Sequence, residues 1–111
     1  MIGLTEQQIE KQIYEFLNGI SGCLCYKTGT TGLSKGGRHV KSNPMERKGK
    51  ADLVCCFRGV YVGIEVKKPG GKQSEDQKTF ESDVIAAHGE YWLVESLDQV
   101  IARLGILRDT I

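Results

Sequence analysis

No apolar run in this chain approaches the ~18 residues that cross a bilayer, so no membrane span is expected. The N-terminus, Met1-Ile2-Gly3-Leu4-Thr5-Glu6, has no basic region followed by an apolar stretch. A signal peptide is therefore not expected, and the expected setting is the cytoplasm. Charge of one sign is lacking too: 15 Lys and Arg stand against 14 Asp and Glu, for a formal net charge of +1. That excludes a strongly basic protein taken as a whole. Zinc-type cysteine spacing is absent. The four cysteines form a C-x-C (Cys23, Cys25) and a C-C (Cys55, Cys56) inside apolar, strand-like segments. Neighbouring strand residues point to opposite faces, so Cys55 and Cys56 are poorly placed to share a metal. They read as reduced residues in or near the core. Aromatics are scarce at 7%, yet 40% hydrophobic content supplies one core and excludes global disorder. The 111 residues predict a single domain over 1–111, and no internal repeat or low-complexity tract is present.

The charge that is present is unevenly placed. Residues 1–50 hold eight basic and four acidic groups, and residues 51–111 hold seven and ten. Local fields, not the total, steer a ligand.

A first helix is predicted over about 5–18. Thr5 caps it, Gln8 stands at the capping-box position, and Ile9, Ile13, Phe16 and Leu17 form one stripe. Cys23 to Thr28 reads as a short strand. Residues 29–50 read as a long basic loop with a hairpin around Gly36-Gly37. A loop of this length in a small domain is uncommon unless it is functional or disordered. Asp52 to Phe57 and Val60 to Lys67 read as a hairpin turning at Arg58-Gly59. Ser74 opens a second helix with Gln77 at the capping-box position, and Gly89 reads as its terminator. Tyr91 to Glu95 is a last strand. Ser96 caps a last helix over about 97–104, with Gly105 as its stop. The order is α-β-β-β-α-β-α. Beyond it, Ile101, Leu104, Ile106, Leu107 and Ile111 suit either a core or an interface.

The chemistry concentrates in Asp52-x12-Glu65-x-Lys67. Strand side chains repeat every two residues, so Glu65 and Lys67 share a face. The hairpin brings Asp52 to the same end. Two carboxylates and a backbone carbonyl, that of Val66, form a hard-oxygen set suited to Mg²⁺. Lys67 can orient a water or stabilise charge building on a phosphoryl group. An alternating strand with Glu and Lys on one face also describes an ordinary solvated face. Gly63 leaves space for another backbone or a ligand. The adjoining loop carries Lys35, Arg38, Lys41, Arg47, Lys48 and Lys50, with His39 among them; these cations suit a nucleic-acid backbone.

Three segments together carry a resemblance: Gly49-Lys50-Ala51-Asp52-Leu53-Val54, Val62-Gly63-Ile64-Glu65-Val66-Lys67 and Gln73-Ser74-Glu75-Asp76-Gln77. They resemble the VRR-NUC family of the PD-(D/E)XK nuclease superfamily, in its small stand-alone form known from phages and bacteria. The resemblance extends over nearly the whole chain. It implies an α/β fold: a restriction-endonuclease-like α-β-β-β-α-β core, with a mixed central sheet flanked by helices. It implies a metal-dependent endonuclease using Mg²⁺, with Mn²⁺ as a substitute. Asp52 and Glu65 would be metal ligands and Lys67 the catalytic lysine. Gln77 would lie near the site, although a capping box explains it as well. The family also uses a glutamate of the first helix. Glu6 fits its spacing better than Glu10, which lies one turn later and about 40° further round. Ala51 stands where the superfamily name has proline. DNA is the implied partner, branched as in a Holliday junction, and a homodimer is the implied assembly. A nickase, a restriction-like enzyme on linear duplex and a non-catalytic DNA-binding module are the competing readings.

Overall fold

The computed structural model describes residues 3–29, 34–35, 38–39 and 44–111, the two short segments in backbone alone. Their elements are α1 (Glu6–Asn18), β1 (Cys23–Lys27), β2 (Ser34–Lys35), β3 (Arg38–His39), β4 (Leu53–Phe57), β5 (Val60–Val66), α2 (Glu75–Ala86), β6 (Glu90–Val94) and α3 (Leu97–Thr110). The predicted order holds, with β2 and β3 added inside the basic loop. They pair antiparallel, Ser34 with His39 and Lys35 with Arg38, as the expected hairpin requires. The side chains of Lys35, Arg38 and His39, and the whole of Lys41, lie outside the described residues.

The main sheet runs β1-β4-β5-β6. β1 and β5 flank β4 antiparallel, and β6 joins β5 in parallel. The sheet is mixed because a two-residue turn can only reverse the chain, whereas β6 returns through α2. At that turn Arg58 and Gly59 both take positive φ (49° and 86°), the combination that matches strand twist in a tight hairpin.

Each face of the sheet is covered by different helices. On one face α1 and α3 pack Ile9, Ile13, Leu17, Val100, Leu104 and Leu107 against Leu53, Val62, Ile64, Val66 and Trp92. The capping box of Thr5 and Gln8 is formed as predicted, and it fixes where α1 starts. On the other face α2 lays Phe80 and Val84 over Ala51 and Tyr91. Ala51 is fully buried there, at the position where the superfamily name has proline.

Four expectations need correction. α3 does not stop at Gly105; it continues to Thr110. Leu104 and Leu107 extend the buried stripe begun by Val100, and their burial outweighs the ~1 kcal/mol that a helical glycine costs. Ile101, Ile106 and Ile111 remain exposed, so the C-terminal apolar set divides between core and surface. Gly89 is not the left-handed residue that ends α2. His88 takes that role at φ 67°, its N–H bonding to Ile85 O, while Gly89 N–H closes onto Val84 O. Gly89 is required by space, since a Cβ there would lie 3.0 Å from Val84 Cγ1 and 3.2 Å from Tyr61 Cδ1. The room beside Gly63 is taken up by side chains. Ala51, Tyr91 and Tyr61 close around it, the nearest 3.3 Å from a hypothetical Cβ. Finally, Cys56 is exposed, because it lies on the opposite face of β4 from the buried Cys55. Cys23 and Cys55 bring their sulfurs to 3.0 Å as free thiols.

Candidate active site

The site lies where β5 ends, beside the start of α2. Asp52 directly precedes β4, and its Oδ2 accepts from Val66 N–H at 2.8 Å. This bond extends the β4–β5 pairing past its last backbone rung, Leu53 with Ile64. Asp52 is held from the other side as well. Thr28 Oγ1 donates to Ala51 O at 2.7 Å, and Thr28 N–H donates to Asp52 O at 3.1 Å.

Glu65 is the buried charged residue of the site, at 1% exposure. Tyr91 hydroxyl donates to its Oε1 at 3.2 Å, and Gln77 Nε2 donates to its Oε2 at 3.1 Å. Lys67 Nζ stands 4.0 Å from Oε2, too long for a direct hydrogen bond. Burial pushes the Glu65 carboxyl up to about 8 in the metal-free protein. The charge of Asp52 and a hydrogen bond to it add to that rise, while Lys67 and Tyr91 oppose it. Burial and the Glu65 charge likewise raise Tyr91 above the ordinary phenol range.

Gln77 serves both readings made of it, because its amide has two ends. Oε1 accepts from Ser74 N–H at 2.9 Å and completes the capping box, leaving Nε2 for Glu65. The start of α2 is thereby tied to the buried carboxylate. The two glutamates of α1 part company. Glu6 Oε2 accepts from Lys68 N–H at 3.1 Å, next to the lysine of the site. Glu10 instead pairs with Lys27 of β1.

A cleft of about 370 Å³ opens over Asp52 and Gln77. Lys27, Arg47, Lys48 and Lys50 line it, with Asp76 as an acidic neighbour. The last part of the basic loop is pinned there by Gly49. Its φ is +75°, and a Cβ would fall 2.3 Å from the carbonyl carbon and oxygen of Asp76. Only glycine permits that approach.

No family model matches the sequence, and no curated protein matches it. Among solved structures, one described as a VRR-NUC domain matches with a TM-score of 0.63 and 24% identity. The match covers 90% of this chain and 94% of that one. The chain has a VRR-NUC fold.

Within this VRR-NUC fold, the strand register brings Asp52, Glu65 and Lys67 together, and Gln77, placed near them by the resemblance, reaches Glu65. Arg47, Lys48 and Lys50 line the same cleft. Arg47 is also engaged locally, with Asp83 at 2.7 Å and over the Phe80 ring at 5.5 Å. Among the described residues no three His, Cys, Asp or Glu side chains converge into a metal-binding group. No helix among the described residues is long and apolar enough to cross a membrane.

Sequence reasoning missed Tyr91, Thr28 and Lys27. Tyr91 reads as the first core residue of a strand. Only the parallel register, Gly63 opposite Tyr91 and Glu65 opposite Leu93, sets its hydroxyl beside Glu65. The alternation that places Tyr91 and Leu93 on one face was the available signal.

Proposed function

We propose that this chain is a nuclease that hydrolyses DNA phosphodiester bonds and depends on Mg²⁺, with Mn²⁺ able to substitute. One observation carries the reading: a glutamate shut away from solvent beside a second carboxylate, with a lysine at 4.0 Å. Two like charges in such a place are costly, and apolar residues would fill a purely structural position more cheaply. A bound cation removes that cost.

The donor set fits a hard cation. Asp52 and Glu65 offer carboxylate oxygens. In an extended strand the N–H and C=O of one residue face the same side, so Val66, whose N–H meets Asp52, turns its carbonyl that way also. A protein shell this small leaves coordination positions for water and phosphate, which suits Mg²⁺. When bound, the cation supplies Lewis-acid stabilisation of the phosphoryl group and a nucleophile at neutral pH.

The chain's own side chains account for the rest. Gln77 and Tyr91 hold Glu65 in one orientation, so little reorganisation accompanies reaction. Lys67, at the rim of the buried pair, faces the phosphate and opposes charge developing on it. Lys27, Lys48 and Lys50 hold the strand through its backbone, without reading bases. Glu6 is a positioning residue: its bond to Lys68 N–H fixes the chain that follows Lys67.

The substrate proposed is branched DNA such as a Holliday junction, cut by a homodimer, because paired symmetric incisions need two sites related by a two-fold axis. Four-way junction, flap and linear duplex at equal concentration, with Mg²⁺, test this. Preferential cutting of the junction by a dimeric species supports it. Equal cutting of all three, or cutting of linear duplex alone, points to the restriction-like reading. Binding without turnover on any substrate overturns the nuclease assignment.

A further inference from the structure

Tyr61 has no part in the chemistry above, yet its position is unusually well defined. Its ring lies against two glycines that leave room for it. A Cβ on Gly89 would come within 3.2 Å of Tyr61 Cδ1, and one on Gly63 within 3.6 Å of Cε1. One side of the ring is thus seated on backbone, and the residue remains 38% exposed. A hollow of about 320 Å³ opens beside it, lined also by Phe80, Val54, Thr28, Arg47, Lys50 and the acidic Glu46.

This hollow adjoins the candidate active site. Thr28, Arg47 and Lys50 line both it and the cleft over Asp52. A strand whose phosphate lies at the Asp52–Glu65 pair therefore has a neighbouring base within reach of the hollow. The walls have the chemistry that base stacking uses: a seated aromatic ring, a second ring at Phe80, and an arginine held against it by Asp83. Lys50 offers a charge for the connecting phosphate. A base that is paired and stacked in a duplex is not free to enter.

We propose that Tyr61, with Phe80 and Arg47, forms a pocket for one unpaired nucleobase next to the scissile phosphate. The proposal rests on the nuclease reading of the adjoining cleft and concerns the nucleotide at the cut, which is held unpaired as the branch point of branched DNA allows. Stacking is tolerant of base identity, so no base preference accompanies it.

The test uses the full chain and a flap duplex with 2-aminopurine at the unpaired position beside the junction. Its control carries the same base paired within linear duplex. Without divalent metal, wild type should quench the unpaired probe on binding. Tyr61→Phe should retain the quench, and Tyr61→Leu, which keeps apolar bulk without a ring, should lose it. With Mg²⁺, Tyr61→Leu should slow flap cutting by about tenfold and leave cutting of paired duplex unchanged. Equal quenching by wild type and Tyr61→Leu, or equal slowing on both substrates, overturns the pocket. A second measurement needs no variant: 5-iodouracil at the unpaired position should photo-crosslink to Tyr61 or Phe80, and crosslinks confined to other residues refute the proposal. The two readings fail separately. Tyr61-dependent quenching with no cutting of any DNA leaves the pocket and removes the nuclease. Cutting with no quenching does the reverse.

Discussion

Glu65 should make the metal-free protein lose stability as pH rises, against the habit of most carboxylates. Its carboxyl is pushed from an ordinary 4.5 up to about 8, chiefly by burial and then by Asp52. The folded state therefore holds a proton that the unfolded state has released. The associated stability is fully present below about 4.5 and is lost as pH climbs through about 8. At ~1.4 kcal/mol per pKa unit, the loss is on the order of 3–5 kcal/mol. For a domain of this size each kcal/mol moves the melting temperature by roughly 4–8 °C. Thermal melts in EDTA from pH 5 to pH 9 provide the assay, with Glu65→Gln as the comparison because it removes this one titration. Groups away from the site titrate in both proteins alike, so the difference between the two profiles isolates the proton held by Glu65 and its neighbour Asp52. Wild type should fall by more than 10 °C relative to the variant, and millimolar Mg²⁺ at pH 8 should restore most of it. Parallel profiles in EDTA would refute the reasoning, since Glu65 would then ionise normally and its burial would store no proton.

Further predictions concern single contacts. Gly49→Ala drives a Cβ into the Asp76 backbone at a positive φ, so it should cost about 2–4 kcal/mol by denaturant melting. The same change should weaken DNA binding, because it releases Lys48 and Lys50 from the cleft. Tyr91→Phe removes the hydroxyl that donates to Glu65 and should cost about 1 kcal/mol, with the pH threshold for cleavage moving upward. Ser74→Ala should also cost about 1 kcal/mol, through the lost cap alone, and retain cleavage if Gln77 still reaches Glu65. Lys50→Ala should lower the slope of log affinity against log salt by about one, whatever the DNA sequence, as measured by fluorescence anisotropy.

Much of this fold was legible because local rules decided it. Thr5 with Gln8 and Ser74 with Gln77 mark two helix starts, and both capping boxes form. The β4–β5 hairpin followed from alternation and the Arg58-Gly59 turn. Asp52, Glu65 and Lys67 could be brought together because a hairpin fixes its own register. What escaped depends on long-range packing. The parallel partner of β5 sits across a whole helix, so alternation gives Tyr91 a face but not the residue it meets there, Glu65. Gly105 looked like a stop because the burial of Leu107, which keeps α3 going, is tertiary. Gly63 and Gly89 stood out as glycines, but their purpose, to seat Tyr61 and Tyr91, appears only when four segments meet.

The central claim is that Asp52 and Glu65 hold a divalent cation that makes this site a nuclease. A cleavage assay on a branched-DNA panel with Mg²⁺, Mn²⁺ or EDTA, run with wild type, Asp52→Asn, Glu65→Gln and Lys67→Ala, tests it most directly. The account predicts cleavage with either metal, none in EDTA, and at least a hundredfold loss in each variant despite an intact fold by circular dichroism, on the order of what one charge-stabilising group contributes. Cleavage that persists in EDTA, or either carboxylate variant cutting at the wild-type rate, would contradict it.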